Sequence, residues 1–489
     1  MKGLFPNSTS RKPGLLLSAI PVALLLTFLA CIIIFAGAGA ISDYSPFSLL
    51  CAAAVAIVLS LANRSLCRRG LAVGIRRSAR QILPAVPMLI CIAMVATTWM
   101  LSGVVPELIC YGLQLLNPTF FLVICCLVCG VISVLTGSSW STIATIGVAF
   151  MGIGTVMGFH PGWIAGAIIS GAYFGDKVSP LSDTTVISAS TCGVDLFTHI
   201  RYLMITTVPS LVISLIVFTI AGFNVTPSAE ANGADIIANL TATFNLSPWV
   251  LTIPAITFAM IVLRVPTLIT LFASSMLGLV GIFIFQPGIM AHLGITDFSS
   301  ALPATLGLLW NETAFNTGNE LFDSLVSTSG ILGMMSTIAL VLSAMIFGTA
   351  MISTGMLATL THAITSRIRK RFSLVSTTVA SGLFLNGCTA DQYLSIIIGG
   401  NMYRNAYRRC GLEPRLLSRT LEDSVSVTSV LIPWNSCGVT QSAVLGVSTL
   451  VYFPFCVFNY LSPLMTLLIS LSGFKIRQAA HATRRLAHA

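Results

Sequence analysis

Three charged residues stand where a membrane-like sequence should have none. Asp176, Lys177 and Asp183 fall within residues 171–190, GAYFGDKVSPLSDTTVISAS, between long apolar runs. An acidic or basic side chain at mid-bilayer costs roughly 3 kcal/mol on insertion scales, so such residues are kept for a use. Carboxylates interleaved with the hydroxyls of Ser179, Ser182 and Thr184 make a set of hard oxygen ligands, which suits Na⁺ rather than a thiol-seeking metal. In an unbroken helix Asp176 and Asp183 would stand about 10 Å apart along the axis, too far to share one small ion. Pro180 removes a backbone donor and clashes with the preceding turn, so a break is expected at 179–182. Within lipid a break is tolerated only where the freed backbone groups face protein, water or an ion. The segment reads as half of an ion site on a discontinuous helix, with Lys177 as the partner of one of its carboxylates.

The elements that must position these residues are membrane spans. The 489 residues are 55% hydrophobic and 8% charged, with a mean hydropathy of +0.93. Soluble domains carry about 25% charged residues, so the composition specifies an all-α polytopic membrane protein embedded in a lipid bilayer. The net charge of +10 sits in short clusters between apolar runs. That is the positive-inside pattern, not a nucleic-acid face. Thirteen cysteines lie mostly in apolar runs, and Cys125, Cys126 and Cys129 have no histidine or acid beside them; they read as packing thiols. The six histidines, His160 and His199 among them, form no ligand spacing. No Ser–His–Asp or clustered Cys/His arrangement points to an enzyme, and no cofactor motif is present.

Taken in order, Lys2, Arg11 and Lys12 place the N-terminus in the cytoplasm, before spans at 14–39 and 44–63. The stretch 64–80, with six arginines, is an inner loop, and 81–103 leads out to an amphipathic piece holding Glu107. Residues 119–158 are apolar for about twice the length of one span, broken by the polar island Thr136-Gly137-Ser138-Ser139. They read as a re-entrant hairpin entering from outside. The broken helix 161–192 then runs inward and 202–223 outward, to a loop at 224–245. Spans at 248–263 and 266–285 flank Arg264, and 286–329 lies along the outer surface. Residues 331–357 cross inward to Arg367, Arg369, Lys370 and Arg371. A second hairpin at 372–402, an inner loop at 404–419, a second broken helix at 420–446 and a last span at 448–471 precede a cytoplasmic tail. This trace has about 10 full spans plus two hairpins. It puts 24 of the 25 Lys and Arg residues inside and eight of the 15 acids outside, with Lys177 the one cation within the membrane. Too many or too few crossings would scatter the cations to both sides.

The chain also repeats. Asp176-x-Val178-Ser179-x-x-Ser182 matches Asp423-x-Val425-Ser426-x-x-Ser429 at an offset of 247, and the islands Thr136-Gly137 and Asn386-Gly387 recur at 250. The trace runs 81–103 outward and 331–357 inward, so the repeats are inverted, with the site between their broken elements at mid-membrane. The expected organisation is N-terminal scaffold spans (1–80), a first repeat (81–223), outer and scaffold segments (224–329), a second repeat (330–471) and the tail (472–489). Candidate ligands are Asp176, Asp183, Ser179, Ser182, Thr184, Ser138 and Ser139 from the first half. The second half supplies Asn386, Asp391, Asp423, Thr428, Ser429 and Asn435. Several of these, Asn386, Thr428, Ser429 and Asn435 above all, could instead satisfy broken backbone.

At these residues the sequence resembles the NhaC-type Na⁺/H⁺ antiporters of the ion-transporter superfamily. The resemblance is carried by TGSSWSTIATIGVAFMGIG (136–154), GAYFGDKVSPLSDTT (171–185), TADQYL (389–394) and LEDSVSVTSVLIPWNSCGV (421–439), and its spacing covers nearly the whole chain. One departure is Val430, where the family usually has proline after the serine at 429. The resemblance implies an elevator-like carrier in the inner membrane, of a kind that is often a homodimer. It also implies exchange of Na⁺ for H⁺, or in some members of one carboxylic acid with Na⁺ for another with protons. On that reading Asp176 and Asp183 hold Na⁺ or a proton in turn, which gives antiport once the site alternates between the two sides. The second reading is Na⁺- or H⁺-coupled transport of a small organic acid or amino acid, which half-helix N-termini could bind.

Overall fold

A computed structural model describes residues 13–37, 40–63, 68–82, 85–224, 233–292, 298–313, 322–323, 326–365 and 371–474. Lys2, Arg11, Lys12, Glu230, Asp297, Glu320, Arg367, Arg369, Lys370 and the cations of the tail lie outside the described residues. Among the described residues the chain is helical, with one isolated pairing of extended residues at Thr313 and Thr328. Among the described residues seven helices are long and apolar enough to cross a membrane, or ten when each of three sharply bent helix pairs is taken as one crossing. Their outer surfaces are apolar. Leu16, Ile34 and Phe35 on the first helix, Phe223 on Leu196–Asn224 and Ile284 on Thr267–Phe285 are all largely exposed. Such a belt is stable only against lipid.

Four elements enclose the candidate site, and they come in two equivalent pairs. The first hairpin is Pro118–Thr136 and Ser139–Val156, followed by the broken helix Pro161–Val178 and Asp183–Cys192. The second hairpin is Arg371–Thr389 and Gln392–Arg409. The second broken element runs from Pro414–Leu421 through the wide turn Glu422–Ser426 and the tight turn Ser429–Leu431, then resumes at Ser436–Leu445. The bounds of the two halves differ by one constant: 371 less 118, 392 less 139, 414 less 161, 436 less 183 and 445 less 192 are all 253. The true register of the repeat is therefore 253, which corrects the offsets of 247 and 250 drawn from short motif matches. Asp176 is equivalent to Ser429, not Asp423, and Asp423 is equivalent to Ser170.

Local chemistry explains why the register is so strict. Each hairpin turns on one residue in the left-handed region, Gly137 (φ 69°) and Ala390 (φ 55°). The next residue, Ser138 or Asp391, is extended and caps the following helix by accepting from Ser141 N–H or Leu394 N–H. The residue before the turn, Thr136 or Thr389, accepts the N–H of Ser138 or Asp391 at 3.2 or 3.3 Å and donates back to its carbonyl at 3.3 or 2.9 Å. Side-chain capping of this kind satisfies donors that lipid could not. The second turn is thus Thr389–Asp391, within the polar stretch 386–391 that the sequence puts at the turn, while Asn386 itself is still helical. Each broken element starts with proline at the first helical turn, Pro161 or Pro414, and stops at a left-handed glycine, Gly193 or Gly446.

Both hairpin tips dock on the break of their own half, which makes them re-entrant. Ser179 donates to the Val134 carbonyl at 2.8 Å, and Ser436 N–H donates to the Ala390 carbonyl at 2.9 Å. Each broken element then runs on for ten more helical residues, about 15 Å, past the tip.

The remaining helices form the surroundings. Leu15–Ala36 and Ile41–Ala62 share a hydrophobic core with Met335–Ser353, and Ala85–Leu101 packs on Thr267–Phe285. The arginine-rich stretch expected as a loop is the amphipathic helix Arg68–Ile82, because its arginines and its apolar residues fall on separate faces. Its Gly74 backs onto Thr349 and Ser353. Thus Met335–Ser353 ends beside the helix from which Ala85–Leu101 departs, so the two run oppositely. At the far end Gln286 accepts from Asn245 N–H at 2.9 Å and donates to the Ser102 carbonyl at 3.1 Å. Two further corrections apply. The 224–245 loop contains the helix Gly233–Thr243, and Glu107 is buried rather than at the surface. Asp195 caps Leu196–Asn224, and the Thr198 N–H (2.9 Å) and hydroxyl (3.0 Å) hold its carboxyl below the usual range.

Candidate functional site

A helix broken inside a membrane must find partners for its freed backbone groups, and side chains of neighbouring elements supply them. In the first half Thr185 donates to the Lys177 carbonyl at 3.1 Å, and Ser179 Oγ accepts Leu181 N–H at 3.2 Å. In the second, Asn386 donates to the Val425 carbonyl at 2.7 Å, Asn459 to that of Val427 at 2.7 Å and Tyr452 to that of Val430 at 2.8 Å. Asn435 caps the resumed helix through Cys437 N–H and donates to the Asn386 carbonyl at 3.1 Å. Ser179, Asn386 and Asn435 therefore hold the breaks in shape, and Thr428 accepts from Asn386 at 3.3 Å. Asn386 Oδ1 stays buried without a partner.

Asp176 sits on the last turn before the first break, facing the tip of the first hairpin. Its Oδ2 accepts the Ser139 hydroxyl at 2.7 Å and the Ser139 N–H at 3.2 Å. Ser182 and Asp183 lie beside it, and the hydroxyls of Ser182 and Thr184 are 3.0 Å apart. Asp183 opens the resumed helix with an exposed side chain, where the helix N-terminus favours negative charge. From the other half, the Tyr393 hydroxyl comes within electrostatic reach of Asp176, Asp183 and Asp391. The equivalent position in the second half has Ser429 donating to Gln392 Oε1 at 3.3 Å. Gln392 replaces Ser139 and Ser429 replaces Asp176 under the 253-residue register, so one side of a pseudo-symmetric pair is charged and the other neutral. Asp391 is spent in part as the cap of Gln392–Arg409, and Ser138 as the cap of the helix after the first turn.

Lys177 does not pair with Asp176 or Asp183. Its ammonium reaches across the halves to Asp423 Oδ1 and donates to Ser462 Oγ at 2.7 Å. Asp423 also accepts from Ser462 (2.9 Å), Thr206 (3.2 Å) and Thr466, with Arg419 Nε 4.0 Å away. The physical reason lies in helix geometry: adjacent residues point about 100° apart, so Asp176 and Lys177 cannot face each other. Lys177 and Asp423 are both buried, which makes this pair a structural tie between the first break and the wide turn of the second half. Arg419, expected in an inner loop, is likewise buried, stacked on Tyr202 at 4.6 Å. Among the described residues no ammonium or guanidinium comes within 4.0 Å of Asp176, Asp183 or Asp391.

Sequence reasoning missed Tyr393, Gln392 and Ser188. The last donates to Glu422 from the helix Asp183–Cys192. The correct register would have exposed Gln392 as the counterpart of Ser139. His160 accepts Gly162 N–H at 3.1 Å as a helix cap, and His199 bonds Ser418 at 2.8 Å. Cys125, Cys126 and Cys129 are buried free thiols packed in the main core. Among the described residues no cluster of three or more His, Cys, Asp or Glu could hold a metal ion; the oxygen set here is carboxylate and hydroxyl. A cavity of about 160 Å³ lies against the first hairpin tip, lined by Thr136, Ser141, Leu181, Arg264 and Thr267 among others.

Residues 14–203 and 171–474 match the model of the Na⁺/H⁺ antiporter family. The Na⁺/H⁺ antiporter NhaC of Alkalihalophilus pseudofirmus is 37% identical over 385 residues, 79% of this chain and 81% of that protein. NhaC of Bacillus subtilis is 33% identical, over 82% of this chain and 86% of its own length. The arginine/ornithine antiporter ArcD of Halobacterium salinarum is 32% identical over 95% of this chain and 93% of its own length.

Proposed function

As this chain belongs to the Na⁺/H⁺ antiporter family, we propose that it exchanges Na⁺ for protons at Asp176 and Asp183. One observation carries the reading: the Lys177 ammonium is committed to Asp423, and among the described residues no other cation comes within 4.0 Å of Asp176 or Asp183, which leaves both to a mobile cation. Asp176 offers one carboxylate oxygen fixed by Ser139, and the Ser182 hydroxyl stands next to it, 3.0 Å from that of Thr184. A carboxylate removed from water binds a proton or a Na⁺ ion, each at the expense of the other. Competition for one site, presented in turn to the two sides, is antiport without any covalent step.

The cross-links Lys177–Asp423 and Ser188–Glu422 join the two broken elements, and this supports a carrier in which the hairpins and broken helices move as one body against the scaffold helices. The cavity lined by Thr136 and Ser141 lies against the hairpin tip whose Ser139 bonds Asp176, which supports it as an access path to the site.

The test uses inside-out vesicles with an acid lumen. Addition of Na⁺ alone is expected to collapse the pH gradient in vesicles with the native protein and not with Asp176→Asn. A gradient that persists until an amino acid is supplied refutes Na⁺/H⁺ exchange. It would favour the second reading, amino-acid exchange, which is supported by the coverage of 95% of this chain by the arginine/ornithine antiporter.

A further inference from the structure

Glu422 is a further membrane-embedded carboxylate without a counter-ion among the described residues, and the ion-exchange reading above does not use it. It is fully buried and opens the wide turn Glu422–Ser426, where the helix departs from its ordinary hydrogen-bond ladder. Turns of that type free backbone groups and recur at functional sites. Its Oε2 accepts the hydroxyl of Ser188, which comes from the other half of the molecule. Its Oε1 is buried with no hydrogen-bond partner. One turn on, the buried Ser426 hydroxyl faces the same carboxylate without a hydrogen bond of standard length and angle. Thr184, one turn before Ser188, presents its hydroxyl to the same carboxylate.

Among the described residues no ammonium or guanidinium comes within 4.0 Å of Glu422. Lys177 is tied to Asp423, and Arg419 has its single carboxylate contact with Asp423. A buried, uncompensated carboxylate is costly, and so is a buried oxygen with nothing to bond. Both costs vanish if a small hard cation sits against Oε1, with the hydroxyls of Ser188, Thr184 and Ser426 as further oxygen ligands. The place is adjacent to the first site: Thr184 faces Glu422 while its neighbours Ser182 and Asp183 lie beside Asp176, and the two carboxylates are within electrostatic reach of each other. The repeat does not supply a twin, because the 253-residue register puts Ile169 at the equivalent position.

We propose that Glu422, with Ser188, Thr184 and Ser426, forms a second Na⁺ site, so that each chain binds two Na⁺ ions across the helix Asp183–Cys192. This rests on the Na⁺/H⁺ reading, and the experiment separates the two. Equilibrium binding of radioactive ²²Na⁺ to the purified full chain in lipid nanodiscs counts the sites directly. The native protein binds two ions per chain; Glu422→Gln and Asp176→Asn each bind one, and the double variant none. If Glu422→Gln does not fold, Ser188→Ala with Ser426→Ala decides, since it removes no charge; at least a tenfold weakening of one of the two sites is expected. One ion in the native protein, lost in Asp176→Asn and kept in Glu422→Gln, overturns the second site and leaves the first standing. A binding curve unchanged by the double serine variant overturns it equally. No bound Na⁺ in the native protein sinks both readings.

Discussion

The tie between Lys177 and Asp423 invites a double-mutant cycle. Both side chains are buried, at 2% and 0% exposure, so neither charge can turn to water when the other is removed. Breaking a buried pair by removing one partner costs about 3–5 kcal/mol. For Lys177→Met the abandoned Asp423 keeps hydroxyl donors from Ser462, Thr206 and Thr466, with Arg419 at 4.0 Å. That support places the expected loss at the low end, about 3 kcal/mol. For Asp423→Leu the abandoned ammonium keeps only Ser462 among described hydrogen-bond partners, so about 5 kcal/mol is expected. In the double variant no unpaired charge remains, and replacing a buried pair by apolar residues is often close to neutral; stranded hydroxyls leave a cost of about 1–2 kcal/mol. Thr206 limits that cost, since it already donates to its own helix carbonyl at Leu203. The coupling between the two positions is then about 6 kcal/mol in magnitude, far outside the additive range of independent sites. Equilibrium unfolding of the purified protein in mixed micelles, followed by circular dichroism, measures all four corners. A coupling below about 1 kcal/mol would show that the two side chains do not hold each other, and the reasoning fails.

Two further outcomes are expected. Gly171 carries no Cβ because one would run into the Cys126 carbonyl on Pro118–Thr136; Gly171→Ala should force those helices apart and cost about 1–3 kcal/mol, read as a lowered unfolding midpoint, whereas an unchanged midpoint would mean that they do not pack this closely. Thr389 orders the second hairpin turn through Asp391 and Ser395, so Thr389→Val strands buried polar atoms at about 1–3 kcal/mol; faster amide exchange at 389–395, and not around the first turn at 136–142, is the expected signature.

The membrane architecture was legible because hydropathy and backbone satisfaction in lipid leave so few solutions. The two hairpins and the breaks at 179–182 and in 420–446 follow from polar residues placed where only a site or a break makes them tolerable. Two local readings went astray for want of a third dimension. Motif matching set the repeat at 247 or 250, since short runs of Ser, Val and Asp recur by chance, whereas the register of 253 is fixed by turns and caps whose residues differ between halves: Gly137 and Ala390, Ser138 and Asp391, Ser182 and Asn435. Adjacency in the chain suggested that Lys177 serves Asp176 or Asp183.

The sequence by itself determined that this chain lies in a membrane, breaks its helices twice and keeps carboxylates at the breaks, because each of these is a statement about one segment and its solvent. Only the tertiary structure decided which charges meet. Lys177 and Asp423 are 246 residues apart, as Ser188 and Glu422 are 234, and their contact depends on how two inverted halves cross. Among the described residues, that crossing leaves Asp176, Asp183 and Glu422 without an ion-pair partner, because the cations that adjacency in the chain would have given them are turned toward Asp423.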